Sequence, residues 1–174
     1  IEAVLRPIGV GGAMALSLAD FAQHFTSGAA PLWQWLALCK ARPVFGEPTA
    51  CAAAQNLVYQ LLTSRPSTDA DRAEVRQSRL HLERGATPLN IKRGPGGTAD
   101  VECLAQMLQL QHAPRQPQVL ATSTQEALQR LSQAGALDKS LAAQLGESYR
   151  FLRRVESGLR LLETKARHDL PTSA

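Results

Sequence analysis

The stretch Ile91-Lys92-Arg93-Gly94-Pro95-Gly96-Gly97-Thr98-Ala99-Asp100-Val101-Glu102 joins a basic pair to a glycine-rich turn and runs straight into a helix start carrying two carboxylates. Gly94, Gly96 and Gly97 permit positive φ and close backbone approach, Pro95 stiffens the turn, and Thr98 is placed to cap the apolar-periodic run that follows. Two readings follow from these residues. In one, backbone amides and a helix N-terminus beside Lys92 and Arg93 form a seat for phosphate or carboxylate. In the other, a tight loop feeds a packed helix and the charges at its mouth are solvated.

Downstream of this turn the hydrophobic period is helical. Residues 98–112 place Val101, Leu104, Ala105, Leu108 and Gln111 on one side, and Pro114 and Pro117 end the run. Residues 123–133 carry Ala127, Leu128 and Leu131 and are closed by Gly135. Asp138 is the N-cap candidate for the longest run, about residues 139–165, with Leu141, Leu145, Tyr149, Leu152, Val155, Leu159 and Leu162 as a continuous apolar face.

Upstream, residues 69–84 are strongly charged, which predicts a surface helix with a narrow buried stripe of Val75, Leu80 and Leu82. Residues 49–63 are alanine-rich, with Leu57, Val58, Leu61 and Leu62 as the apolar face. Pro31 opens a run through Leu32, Trp33, Leu36 and Cys39, and Ser17 caps one with Leu18, Phe21, Ala22 and Phe25 on one face. Residues 1–7 read as the end of a strand stopped by Pro7, and residues 8–12 as a glycine turn. The expected fold is mainly α, a helical bundle with a short β remnant at its N-terminus. Arg42-Pro43 and Phe45-Gly46-Glu47-Pro48 set the expected domain boundary, dividing residues 1–48 from residues 49–174.

The 174 residues are 44% hydrophobic, 20% charged and 5% aromatic, with a net charge of +4, an ordinary soluble composition. No apolar run is long enough to span a membrane and no signal peptide is recognisable, so the expected location is cytoplasmic, without a membrane partner. Basic residues are interspersed with acidic ones and aromatics are few, which argues against nucleic acid. Cys39, Cys51 and Cys103 show neither a disulfide framework nor a zinc pattern and read as small buried hydrophobes. His24, His81, His112 and His168 lack ligand spacing, and Arg150, Arg153 and Arg154 read as solvated charges beside an apolar seam.

Three strings coincide in order and distance: Leu5-Arg6-Pro7 with Gly9 and Gly12; Ala37-Leu38-Cys39-Lys40-Ala41-Arg42-Pro43-Val44-Phe45-Gly46; and Lys92-Arg93-Gly94-Pro95-Gly96-Gly97 with Asp100, Glu102 and Gln106. Together they resemble the glutamine synthetase adenylyltransferase family. That resemblance implies a bifunctional bacterial regulator in two similar halves. One half attaches AMP from ATP to a tyrosine of glutamine synthetase, and the other removes it by phosphorolysis. It implies in each half a polymerase-β-like nucleotidyltransferase domain followed by a helical bundle. Residues 1–48 then stand for the end of such a domain, and the adenylylating half is favoured by the Leu-Cys-Lys-Ala-Arg and Gly-Pro-Gly-Gly forms.

The same resemblance implies Mg²⁺ and ATP for the parent enzyme, and glutamine synthetase and a nitrogen-regulatory PII-type protein as partners. The family's upstream Gly-Ser-x-x-Asp-x-Asp segment, which supplies two metal-binding carboxylates, is absent from this sequence, so the chain alone is expected to be inactive and to carry no cofactor. Glu2 stands where the family has its third carboxylate, an Asp, and is the candidate catalytic and Mg²⁺-binding group; Val4 stands where an Arg is usual. Arg6, Lys92 and Arg93 are the nucleotide- or phosphate-binding candidates. Gly94, Gly96, Gly97, Asp100, Glu102 and Gln106 form a structural motif clamping the bundle to the catalytic domain, with Lys92 or Arg93 available to pair with Asp100 or Glu102. Gln34, Trp35 and Leu36 replace the family's Glu, Arg and Gln, and Cys103 replaces a phenylalanine, which leaves open a degenerate site or a different target. Two other functions stay open: a related uridylyltransferase acting on a nitrogen-regulatory protein, and a non-catalytic interaction module.

Overall fold

The computed structural model describes residues 15–162 and 168–170. Glu2, Val4, Arg6, the Leu5-Arg6-Pro7 string, the glycine turn at 8–12 and the expected β remnant lie outside the described residues. Those described form seven α-helices: α1 (Leu18–Thr26), α2 (Leu32–Leu38), α3 (Pro48–Ser64), α4 (Asp69–Arg84), α5 (Thr98–His112), α6 (Thr124–Gln133) and α7 (Lys139–Leu162). A 3-10 turn at Pro117–Val119 joins α5 to α6. Among the described residues there is no strand, only one antiparallel bridge between Asn90 and Asp169. The mainly helical expectation is met.

Helix α5 is the axis of the bundle, packed by α2, α4, α6 and α7. Its burial explains its weak amphipathicity: Val101, Ala105, Met107, Gln109 and Leu110 are all buried, while Leu104 and Gln111 turn outward. Gln109 is tolerated there because its Oε1 accepts the Ala121 amide at 2.7 Å, which pins the loop before α6. Ala127, Leu128 and Tyr149 carry the core onto α6 and α7. Asp138 caps α7 as expected, accepting the Leu141 amide at 2.9 Å, but Leu141 itself is largely exposed.

The first two helices share this core. Phe25, Leu32, Trp35, Leu38 and Cys39 pack in one cluster with Leu61, Leu62 and Leu110. Ser17 caps α1 through the Asp20 amide. In α2 the buried face is Leu32, Trp35 and Leu38, with Trp33 turned half outward, so the expected face through Trp33 is rotated. The reason is aromatic packing, since Trp35 meets Phe25 edge-on at 4.9 Å and carries the Arg65 guanidinium at 5.1 Å from its ring centre.

The stripe expected on α4 is not the one that anchors it. Leu80 and Leu82 are largely exposed, Val75 is half-buried, and the two buried side chains are Asp71 and Arg79. Asp71 closes a reciprocal cap: Thr68 Oγ1 accepts the Asp71 amide at 3.2 Å, and Asp71 Oδ2 accepts the Thr68 amide at 2.8 Å. Arg65 completes it with a two-pronged contact at 2.7 and 3.1 Å.

Burial alone would raise the Asp71 carboxyl pKa, but the hydrogen bonds and charge of Arg65 with those of Thr68 outweigh it and hold the group below its ordinary value. A lowered folded pKa means stability that is present above the unfolded value and lost as pH falls through the folded one. Asp71→Asn is expected to destabilise by about 1–3 kcal/mol at pH 7. In urea melts the gap from the parent chain should close below about pH 4. An equal gap at pH 7 and pH 3 would remove the ionised cap from the account.

Candidate functional site

The glycine turn folds back on the start of α5. Asn90 Oδ1 accepts the amides of Lys92 and Arg93 at 3.1 and 2.7 Å, opening the turn. The Thr98 amide then bonds Ile91 O and the Ala99 amide bonds Lys92 O, both at 3.0 Å. Gly97, not Thr98, is the N-cap residue, and Thr98 is buried as the first helical residue. This corrects the expected cap by one position, and the cause is the fold-back, which satisfies the first helix amides with main-chain carbonyls instead of a hydroxyl.

Each glycine serves differently. Only Gly96 has positive φ, at 72°, and space around it is open. At Gly97 a Cβ would lie 2.6 Å from Lys92 O and 2.9 Å from Gly94 O, and at Gly94 it would lie 2.5 Å from Asn90 O. The amides of Gly94 and Gly97 bond Asn90 O and Gly94 O at 2.9 Å, and that of Gly96 bonds Asp100 Oδ2 at 2.7 Å. Every amide from Ile91 to Asp100 is thus paired inside the protein. What the turn offers an anion is the side chains of Lys92 and Arg93, not a cradle of N–H groups.

The carboxylates of the motif find other cations than the expected neighbours. Asp100 Oδ1 accepts Arg79 Nε at 2.6 Å, and Arg79 also reaches Arg93 O at 3.2 Å, so α4 is tied to the turn by one buried guanidinium. Glu102 lies 3.3 Å from Lys40 Nζ and accepts the Tyr149 hydroxyl at 2.7 Å. Burial and then the Glu102 hydrogen bond push the Tyr149 phenol upward, so it stays protonated at neutral pH. Lys40 and Glu102 belong to two of the three strings quoted from the sequence, and these meet in one ion pair. Gln106 joins them through its carbonyl, 3.8 Å from Cys39 Sγ. The partners come instead from α4 and from the residues just after α2, towards which the first turns of α5 face.

Cys39 is buried and its thiol is pushed up to about 12, mainly by burial. Cys103 is half-buried and raised for the same reason, and Cys51 is half-buried too, so burial as small hydrophobes holds fully only for Cys39. Among the described residues no three His, Cys, Asp or Glu side chains are grouped to hold a metal ion. No described helix is long and apolar enough to cross a membrane. A recess of about 560 Å³ between α3 and the 3-10 turn, lined by Gln55, Tyr59, Leu120 and Arg130 among others, contains none of the candidate residues.

Sequence reasoning passed over Glu156. This carboxylate on α7 is 2% exposed and both its oxygens are held: Oε2 by Arg153 at 2.6 Å, Oε1 by Arg160 at 2.9 Å, with His168 Nδ1 at 3.2 Å. The Arg153-x-x-Glu156-x-x-x-Arg160 spacing, which sets both arginines on the side of the glutamate, was the available signal. The His168 carbonyl accepts the Ile91 amide at 2.8 Å, which brings this cluster to the other side of the glycine turn.

A family model described as GlnD PII-uridylyltransferase matches residues 67–174. Among curated relatives, the bifunctional glutamine synthetase adenylyltransferase/adenylyl-removing enzyme of Xanthomonas axonopodis pv. citri is 35% identical over 98% of this chain and 18% of its own length. The enzymes so named from Streptomyces coelicolor and Mycolicibacterium smegmatis are 34% and 31% identical over the same share of this chain and 17% of theirs. The chain therefore spans less than a fifth of the length of these relatives. On the match over residues 67–174 and the similarity along 98% of its length, the chain belongs to the GlnD PII-uridylyltransferase family and is related to the glutamine synthetase adenylyltransferases.

Proposed function

We propose that this chain belongs to an adenylyltransferase that moves AMP from ATP to a tyrosine of glutamine synthetase, with a second half that removes it by phosphorolysis. The observation that carries the reading is similarity along nearly the whole chain to relatives bearing that name. Residues 1–48 are read as the end of the nucleotidyltransferase domain of the adenylylating half, and residues 49–174 as its helical bundle. Within this reading Glu2 is the third carboxylate, orienting or deprotonating the tyrosine hydroxyl and contacting Mg²⁺, and Arg6 grips phosphate oxygens. Among the described residues no donor set is grouped for a metal ion, and of this chain's residues Glu2 is the one read as a Mg²⁺ contact, beside the two carboxylates of the family's upstream segment. A PII-type regulator is the proposed effector partner, and the protein is read as cytoplasmic.

The glycine turn is read as the joint between bundle and catalytic domain. The Lys40–Glu102 pair supports this, because Lys40 follows α2 in the first segment and Glu102 lies in the first turns of α5. A uridylyltransferase of a nitrogen-regulatory protein is the second reading, favoured by the description of the matching family model.

The full-length parent, incubated with labelled ATP or UTP and with glutamine synthetase or a PII-type protein, should label glutamine synthetase from ATP. Label carried from UTP to the PII-type protein would replace the first reading by the second. Label in neither, with nucleotide-independent binding to glutamine synthetase, would make the protein an interaction module. In the same assay Glu2→Gln should remove most transfer while leaving the thermal midpoint nearly unchanged, and full activity would take Glu2 out of the site.

For the joint, Gly97→Ala is expected to cost about 1–3 kcal/mol because its Cβ meets main-chain atoms. Gly96→Asn, in open space at a φ that Asn tolerates, should cost under about 1 kcal/mol. Equal midpoints for the two variants would refute the account of the turn.

A further inference from the structure

Buried carboxylates are held by cations, and the usual outcome is a neutral, closed pair. Glu156 departs from that pattern. Its side chain is 2% exposed, whereas the side chains of Arg153 and Arg160 that hold it are 45% and 50% exposed. The carboxylate therefore works as a floor that holds two arginines whose side chains stay about half exposed.

The chain then brings more positive charge to the same place. The 168–170 segment pairs with the entrance of the glycine turn through Ile91 N to His168 O at 2.8 Å and Leu170 N to Leu89 O at 3.1 Å. Asn90 Nδ2 and the Thr87 hydroxyl both bond Asp169, which holds the segment and occupies that carboxylate. Lys92 and Arg93 follow directly in the turn, with Lys92 half-buried and Arg93 exposed. Among the described residues, Lys92, Arg93 and Arg160 all act on His168 through their charge, and Arg153 shares the Glu156 carboxylate with Arg160, while the Asp169 carboxylate is engaged by Asn90.

We propose that Lys92, Arg93, Arg153, Arg160 and His168 form a binding site for a multiply charged phosphate-class oxyanion, floored by Glu156. Two guanidinium forks held in place and an ammonium group suit the several oxygens of a phosphate chain better than the two of a lone carboxylate. The electrostatics agree. The His168 ring is held below its ordinary pKa, first by burial and then by Lys92, with Arg160 and Arg93 adding to the effect and Glu156 opposing it. An anion seated among these cations would relieve that repulsion and move the ring's titration upward. The proposal deepens the assignment of Lys92 and Arg93 to phosphate and does not depend on the transfer reaction.

The test uses the 174-residue chain at fixed ionic strength, titrated calorimetrically with inorganic pyrophosphate, ATP and AMP. Pyrophosphate should bind saturably, and the paired changes Lys92→Ala and Arg93→Ala should weaken it by at least about tenfold, while Arg93→Ala alone, on an exposed side chain, should weaken it without moving the thermal midpoint. His168 followed by NMR should titrate at higher pH in saturating pyrophosphate. ATP binding like pyrophosphate identifies free phosphate chains as the ligand, and ATP binding much tighter identifies the tail of a nucleotide; AMP should be weaker than both. No saturable binding, binding indifferent to the paired changes, AMP as tight as pyrophosphate, or an unmoved His168 would each overturn the site. Loss of pyrophosphate binding with transfer by the full-length parent intact would confine any failure to this site and leave the transfer reading standing.

Discussion

Two main-chain hydrogen bonds, from Thr98 to Ile91 O and from Ala99 to Lys92 O, hold the glycine turn against the start of α5. The rest of this region depends on them. Because the turn lies flat on the helix start, Arg93 O faces α4 and receives Arg79, while Ile91 N faces the other way and receives His168 O. Because the first helix amides are already bonded, Asp100 is free to bridge Gly96 and Arg79, and Glu102 to bridge Lys40 and Tyr149. The requirement for glycine at 94 and 97 is set by this geometry, since any Cβ there would meet a carbonyl oxygen. Helix dipole and amides, which made the turn look like an anion seat, are turned inward, and only side-chain charge is left on the outside.

Helix spans were largely legible in the sequence because the breakers are unambiguous: Ser17, Pro31, Pro48, Pro114, Gly135 and Asp138 all lie where helices begin or end. Helix faces were less so. On α2 the choice between Trp33 and Trp35 depends on where α1 and Arg65 come to rest, which no local period encodes. On α4 aliphatic residues drew the reading, while the anchoring is done by Asp71 and Arg79, whose burial is intelligible only with their partners in place. The Thr68-x-x-Asp71 spacing was an available signal that the sequence reading passed over; the Arg79–Asp100 pair, across two helices, left no local signal. The candidate site divides in the same way: the turn and its glycines could be read locally, whereas the pairing of Lys40 with Glu102 and the placing of His168 beside Glu156 needed the fold.

The polar contacts share a design. Asp71, Arg79 and Glu156 are each buried, and each sits between helices or between a helix and a loop, holding a joint that the hydrophobic core does not reach. The apolar clusters bring the helices together, around Leu110 on one side of α5 and Val101 and Leu128 on the other. The ion pairs then select one arrangement of loops among those that the core alone would tolerate.

The bridge between Asn90 and Asp169 has a consequence for how this chain is made. The two residues lie 79 positions apart, so during synthesis the glycine turn emerges and must wait for α5, α6 and α7 before its partner segment exists. Until then Arg79 can already close one side of the turn, being upstream of it, while the side that receives His168 stays open. Closure of that long loop is an ordering step that local helix formation cannot hasten, and it makes the turn one of the last parts of the bundle to acquire its full set of bonds as the nascent chain leaves the ribosome.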